Sequence, residues 1–283
     1  MYLTDAFFKL NSFEADVAVL RHHLNEIIDQ WRYNGQIIGR EITLCLVDYE
    51  SDDEENENDE NDTVAELPAP YPSPAFVIRV NCPEQESLAP QFNNASVTQA
   101  IESAQKCGLI FDSFQILAED LNSDTTTTNS MPNWQVLYTT YLQSCSPLHS
   151  GDDLAPIPLY RQLQAQPHLA QDVIKWQENW QAYDQLQMNA AALEQQAVQQ
   201  LSEPDSSLSK HGRYLARAIE MQTGIPTYYY LYRTGGESLS TEQKRRCPSC
   251  GQAWALAAPL FEVFYFKCDD CRLVSNLSWH FCE

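Results

Sequence analysis

Four cysteines carry the clearest chemistry in this chain. Cys247-Pro-Ser-Cys250 is followed, after seventeen intervening residues, by Cys268-Asp-Asp-Cys271. Each Cys-x2-Cys turn aims two thiolates at one point. A hairpin joining two such turns gathers four sulfurs in a tetrahedron, the donor set that zinc prefers. Pro248 stiffens the first turn, and Gly251 admits the positive φ that such turns often need. Two disulfides or four ordinary buried thiols are the plain alternatives, and iron in the same thiolate cage is another. A closed four-thiolate site has no position for a reactive water. The expectation is therefore one structural zinc per chain rather than a hydrolytic centre. His280 and Cys282 could stand in for one thiolate, but four better-spaced sulfurs make them secondary.

A second constellation is basic and aromatic. Lys210, Arg213 and Arg217 stand at i, i+3 and i+7, on one face of an expected helix. Arg233 and Lys244-Arg245-Arg246 follow, with Tyr228, Tyr229, Tyr230 and Tyr232 between the two groups. Cations suit phosphates and aromatic rings suit bases, so Tyr229 and Tyr230 are candidate stacking residues. The plain counterpart is a solvated helix face and a half-buried strand whose tyrosines serve the core. Cys145-x3-His149, ahead of Asp152-Asp153, has the residue types of a nucleophile or a metal site. Closeness in sequence does not position a base, so a buried thiol beside a proline-rich loop is the reading adopted. His22-His23, His168 and His211 lack partner spacing and read as surface or cap residues. No GxxxxGK[ST], GxGxxG or GxSxG motif occurs. The expectation is a protein that is not an enzyme and has no small-molecule substrate.

The elements that must position these groups follow from periodicity. A short strand at 7–10 precedes a helix at 14–33, capped by Asn11 or Ser12 with Glu14 and Asp16 in its first turn. Val17, Leu20, Leu24, Ile27, Ile28 and Trp31 form its apolar stripe. Strands are expected at 37–49, 75–82 and 109–117, with a helix opened by Ser96-x-x-Gln99 and ended by Gly108. The order β-α-β-β-α-β predicts an α+β protein with a ferredoxin-like antiparallel sheet, to which 134–142 adds a fifth strand. Residues 1–145 would form this domain. A proline-rich connection at 146–167 would lead to a helical segment at 168–234, made of helices at 168–202 and 208–223 and a strand at 227–233. Gly235-Gly236 and the polar residues after them read as a hinge to a zinc ribbon at 244–283.

Net charge is −22, unfavourable for a generic polyanion binder. The charge is uneven. Residues 1–209 carry 8 basic and 32 acidic side chains, while residues 210–283 carry 9 basic and 7 acidic. Residues 50–66 hold ten acids and no base, which reads as a solvated, disordered loop. No apolar run reaches the length of a membrane span, and the N-terminus lacks a signal-like core, so the expected compartment is the cytoplasm.

Pro156-Ile-Pro-Leu-Tyr-Arg161 and the run from Gly212 to Tyr232, taken with the ribbon cysteines, resemble an uncharacterised bacterial family. That family is described as zinc-ribbon-containing, with a suspected role in binding nucleic acid. The resemblance implies that Cys247, Cys250, Cys268 and Cys271 are the zinc ligands. Two functions are expected from the sequence. One is RNA or DNA binding through the C-terminal region. The alternative is a protein-interaction adaptor whose ribbon docks on a larger assembly such as a ribosome or polymerase.

Overall fold

The computed structural model describes residues 1–11, 16–47, 75–236 and 238–278. The acidic segment 50–66, Glu14, His280 and Cys282 lie outside the described residues. Six elements build the first half: β1 (Tyr2–Leu10), α1 (Val17–Asn34), β2 (Ile38–Val47), β3 (Ala75–Cys82), α2 (Ala95–Lys106) and β4 (Leu109–Glu119). The strands form an antiparallel sheet in the order β2-β3-β1-β4. Leu20, Leu24, Ile27, Ile28 and Trp31 of α1 share a core with Val97, Ala100 and Ala104 of α2, against Ala6, Phe8, Ile78 and Val80. Both helices therefore cover the same face of the sheet.

Three local expectations change here. α2 is capped by Asn94, whose side chain accepts from the Val97 N–H at 3.0 Å, so Ser96 lies within the helix rather than opening it. The cap of α1 is Asp16, whose carboxylate accepts from the Ala18 N–H at 2.8 Å. The helix starts at Val17, three residues after the expected start, and Asp16 satisfies a donor that Asn11 is too far along the chain to reach. β1 begins at Tyr2, five residues before the expected start. The buried Asp5 hid it, because an acid breaks an apolar pattern. Its charge is met by Arg79 on β3, which donates two bonds of 2.7 and 2.8 Å.

The second half is built on another sheet. β5 (Gln135–Leu137), β6 (Leu148–Ser150), β7 (Thr227–Tyr230), β8 (Ala255–Leu260), β9 (Phe264–Cys268) and β10 (Leu273–Ser275) lie in the order β6-β5-β7-β10-β9-β8. β7 runs parallel to both β5 and β10. The strand expected to extend the first sheet is β5, and it belongs to this one. All three of its residues are buried, which requires a strand on each side and cover on both faces. The tail joins this sheet as well, since β10 pairs directly with β7. The boundaries expected at 145/146 and between 234 and 244 both fall within the span of this sheet. The proline-rich stretch supplies β6 and the short α3 (Leu159–Gln162).

Three helices pack on this sheet: α4 (Pro167–Met188), α5 (Glu194–Ser202) and α6 (Ser207–Thr223). A single helix over 168–202 was the expectation. The chain instead turns at Ala190 and Leu193, both at positive φ. One straight helix would carry Ala197 and Leu201 past the end of the core, whereas the reversal buries both. α6 approaches the sheet at Gly212. A Cβ there would meet the Tyr229 ring at 2.2 Å and Trp176 Nε1 at 2.6 Å, so only glycine fits.

The two halves are joined by polar contacts. Arg161 Nε donates to Glu84 at 2.6 Å, the Tyr160 hydroxyl donates to the same carboxylate, and Arg32 pairs with Glu178. Among the described residues no helix is long and apolar enough to cross a membrane.

Candidate metal centre

The four tail cysteines converge. Gly251 N–H donates to the Cys247 carbonyl at 2.8 Å and closes the first turn, and Cys247 N–H donates to the Gln252 carbonyl at 2.9 Å. Gly251 has φ +74°, where an L side chain is strained. Cys268 ends β9, and Cys271 sits in the turn that leads into β10. The four Sγ atoms lie within 4.8 Å of one another, and Cys250 Sγ is 3.7 Å from Cys268 Sγ. A tetrahedron with metal–sulfur bonds of about 2.3 Å has edges of about 3.8 Å, so this spacing fits one ion. All four are free thiols, which sets aside the disulfide alternative.

The electrostatics point the same way. Burial pushes Cys268 up to about 12 and raises Cys271, while a backbone hydrogen bond from Gln252 lowers Cys250. Four thiolates cannot sit together without a compensating cation, and a divalent ion supplies it. These residues can hold one metal ion such as zinc. The donor set is closed, so its chemistry would be structural.

Helix α6 grips both turns. Arg213 Nη2 donates to Ser249 Oγ at 3.1 Å in the first turn. Two helical turns later, Glu220 accepts from Arg272 Nε at 3.0 Å and Nη2 at 3.1 Å, beside the second turn. Glu220 Oε2 also accepts from the Thr227 N–H at 3.1 Å, which ties helix, β7 and metal turn together. Such supporting contacts orient ligands and are part of a metal site.

The basic and aromatic candidates divide into two groups. Tyr229 is 0% exposed and Tyr230 is 4% exposed, so neither can stack on a base, which corrects the sequence-based assignment. Tyr229 packs edge-on to Trp176, and Tyr230 lies against Trp180, Phe264 and Tyr138. They alternate to opposite faces of an interior strand, and both faces are covered. Arg233 and Arg245 are also committed. Both pair with the buried Glu242, at 3.0 and 2.9 Å, and the Arg245 guanidinium lies over the Trp254 and Phe266 rings. Burial draws Arg245 down to about 10, still charged at neutral pH.

Lys210, Arg217, Lys244 and Arg246 are exposed, and Arg213 is half-buried. Sequence reasoning passed over Tyr214, which is 67% exposed. It stands four residues after Lys210 and three before Arg217, on the same face, and that spacing was the available signal. Glu220, Glu242 and Ser249 were also missed, because their roles depend on contacts distant in sequence.

Comparison with known proteins gives a family and leaves its chemistry open. Residues 1–118, 129–232 and 236–281 match three domains of unknown function, DUF8589, DUF2310 and DUF8594. A Haemophilus influenzae protein carrying the description "Uncharacterized protein" is 57% identical over 281 residues, spanning 99% of this chain and 100% of that one. The chain therefore belongs to the same family as that Haemophilus protein. A second Haemophilus influenzae protein with the same description is 68% identical over 176 residues, covering 62% of this chain and 87% of its own length. No solved structure matches.

Proposed function

We propose that this is a non-catalytic, cytoplasmic zinc-ribbon protein that binds single-stranded nucleic acid along α6 and the first metal turn. In this reading the first half is a ferredoxin-like unit, and one zinc ion held by Cys247, Cys250, Cys268 and Cys271 fixes the edge of the second sheet. The observation that carries the reading is the Arg213–Ser249 contact of 3.1 Å, because it sets the basic face of α6 against the metal turn. Lys210, Tyr214 and Arg217 on the helix are exposed, as are Lys244 and Arg246 just before the turn, and in this reading they act together as cations around a ring. Cations meet phosphates without regard to sequence, and an exposed tyrosine stacks on any base. The acidic remainder of the chain keeps affinity modest and confines nucleic acid to this surface.

The test is fluorescence anisotropy with labelled single-stranded and duplex RNA and DNA at low salt. Binding should weaken as salt rises, with a log–log slope of roughly two to four, since few phosphates are met. Tyr214→Ala should weaken single strands more than duplex. Absence of salt-sensitive binding would refute this reading.

A second reading has its own observation. Met221 is 83% exposed and stands two helical turns beyond Tyr214, beside a groove lined by His168 and Leu169. Two large apolar side chains left in water on one helix face suit a protein partner. The protein would then be an adaptor that docks on a larger assembly. Copurification that survives nuclease, and that Met221→Glu abolishes, would favour it.

A further inference from the structure

A second cluster of metal-type donors lies away from the tail. Cys145 stands in the loop before β6, His149 lies within β6, and Asp124 belongs to the segment between β4 and β5. One ligand atom from each lies within 4.8 Å of the others. His149 Nε2 is 3.7 Å from Cys145 Sγ, and Cys145 Sγ is 4.0 Å from Asp124 Oδ2. These separations are long for hydrogen bonds. They suit donors around one ion, since bonds of about 2.3 Å to sulfur and about 2.0–2.2 Å to nitrogen and oxygen place tetrahedral ligands about 3.5 Å apart.

The burial of two of the donors points to a ligand as well. Cys145 is 3% and His149 1% exposed, and polar side chains buried this far need a partner. Asp124 is exposed and lines an open groove with Tyr138, Gln143 and Asp153. The cluster is therefore reachable from solvent through its carboxylate.

We propose that Asp124, Cys145 and His149 form a second site for a divalent transition metal of the zinc type, with one coordination position left open beside the groove. The mixed sulfur, nitrogen and oxygen set suits zinc, cobalt or ferrous iron rather than calcium or magnesium. Three protein ligands and a free position are the arrangement of a metal that meets water or a ligand oxygen, unlike the closed tail site.

A metal-free cysteine nucleophile explains the cluster less well. Such a pair works as thiolate and imidazolium. Here Cys145 is 3% and His149 1% exposed, surroundings that disfavour such a charged pair. A neutral imidazole is the form that ligates metal, and a divalent cation supplies the charge that lets a buried thiol ionise.

The experiment uses the full chain with its tail site already filled by zinc. Cobalt(II) is titrated in, and binding is followed by calorimetry and by visible absorption. One further equivalent should bind with a sulfur-to-cobalt charge-transfer band. Cys145→Ala should remove that band. Asp124→Asn changes only an exposed carboxylate and is safe for folding. It should weaken the added equivalent by at least about tenfold, a loss of the size seen when metal sites are compromised. Binding of no further equivalent, or an added equivalent that Asp124→Asn leaves unchanged in affinity, would overturn the proposal.

Discussion

Glu220 on α6 receives Arg272 in a two-pronged ion pair, Nε at 3.0 Å and Nη2 at 3.1 Å, directly beside the turn that carries Cys271. With Arg213 on Ser249, it makes one helix the backing for both halves of the four-cysteine cluster. The tail is therefore held on two sides, by β7 through β10 and by α6 through these side chains.

The pair gives a pH-dependent prediction. The Arg272 guanidinium holds the Glu220 carboxyl below the usual carboxylate range. A carboxyl lowered by folding contributes stability above its unfolded pKa and loses that contribution as pH falls through its folded pKa. Glu220→Gln should be less stable than wild type at neutral pH. The gap should close on acidification below the ordinary glutamate value of about 4.3. Thermal melts across this range read the gap, and one that stays constant into acid would contradict the assignment.

Gly212 gives a steric prediction. Alanine in an exposed helix interior is worth about 1 kcal/mol over glycine. Here its methyl would enter the Tyr229 ring and the Trp176 indole. Gly212→Ala should cost roughly 1–3 kcal/mol net and lower the melting temperature. A stabilised variant would show that α6 does not approach β7 this closely.

Glu242 is buried between Arg233 and Arg245. Removing one partner of a buried charge cluster leaves the others uncompensated, at about 3–5 kcal/mol. Both arginines keep some solvent contact, so Glu242→Ala should fall at the low end, about 3 kcal/mol by denaturant unfolding. A cost under about 1 kcal/mol would mean that the arginines find water instead.

The same geometry separates the basic residues by role. Neutralising Lys244 and Arg246 should weaken nucleic-acid binding to all sequences alike without destabilising the fold. Arg245→Gln should lower stability instead, because it removes cation–π contacts with Trp254 and Phe266. Comparing melting temperature with anisotropy for each variant checks the division. Arg245→Gln that weakens binding with an unchanged melting temperature would contradict it.

The parts legible in the sequence were those encoded locally. The cysteine pairs carry their own spacing, and the stripe from Leu20 to Trp31 repeats at helical period. The strands and helices of the first half follow from the same kind of signal. Tyr229 and Tyr230 were misassigned because alternation gives two faces and does not say whether both are covered. β7 sits between β5 and β10, and those neighbours come from 90 residues before it (137 to 227) and 43 after (230 to 273). The turn at Ala190–Leu193 was hidden because no glycine or proline marks it. Asp124 could not be joined to Cys145 and His149 from sequence, since the loop that brings it there follows the first sheet.

The most direct test of the central claim is the zinc content of purified protein after dialysis against a chelator of moderate strength. The account predicts close to one equivalent per chain, lost in Cys250→Ser and in Cys268→Ser together with local unfolding of the tail. Stoichiometric zinc retained by the double variant Cys247→Ser, Cys250→Ser would contradict it.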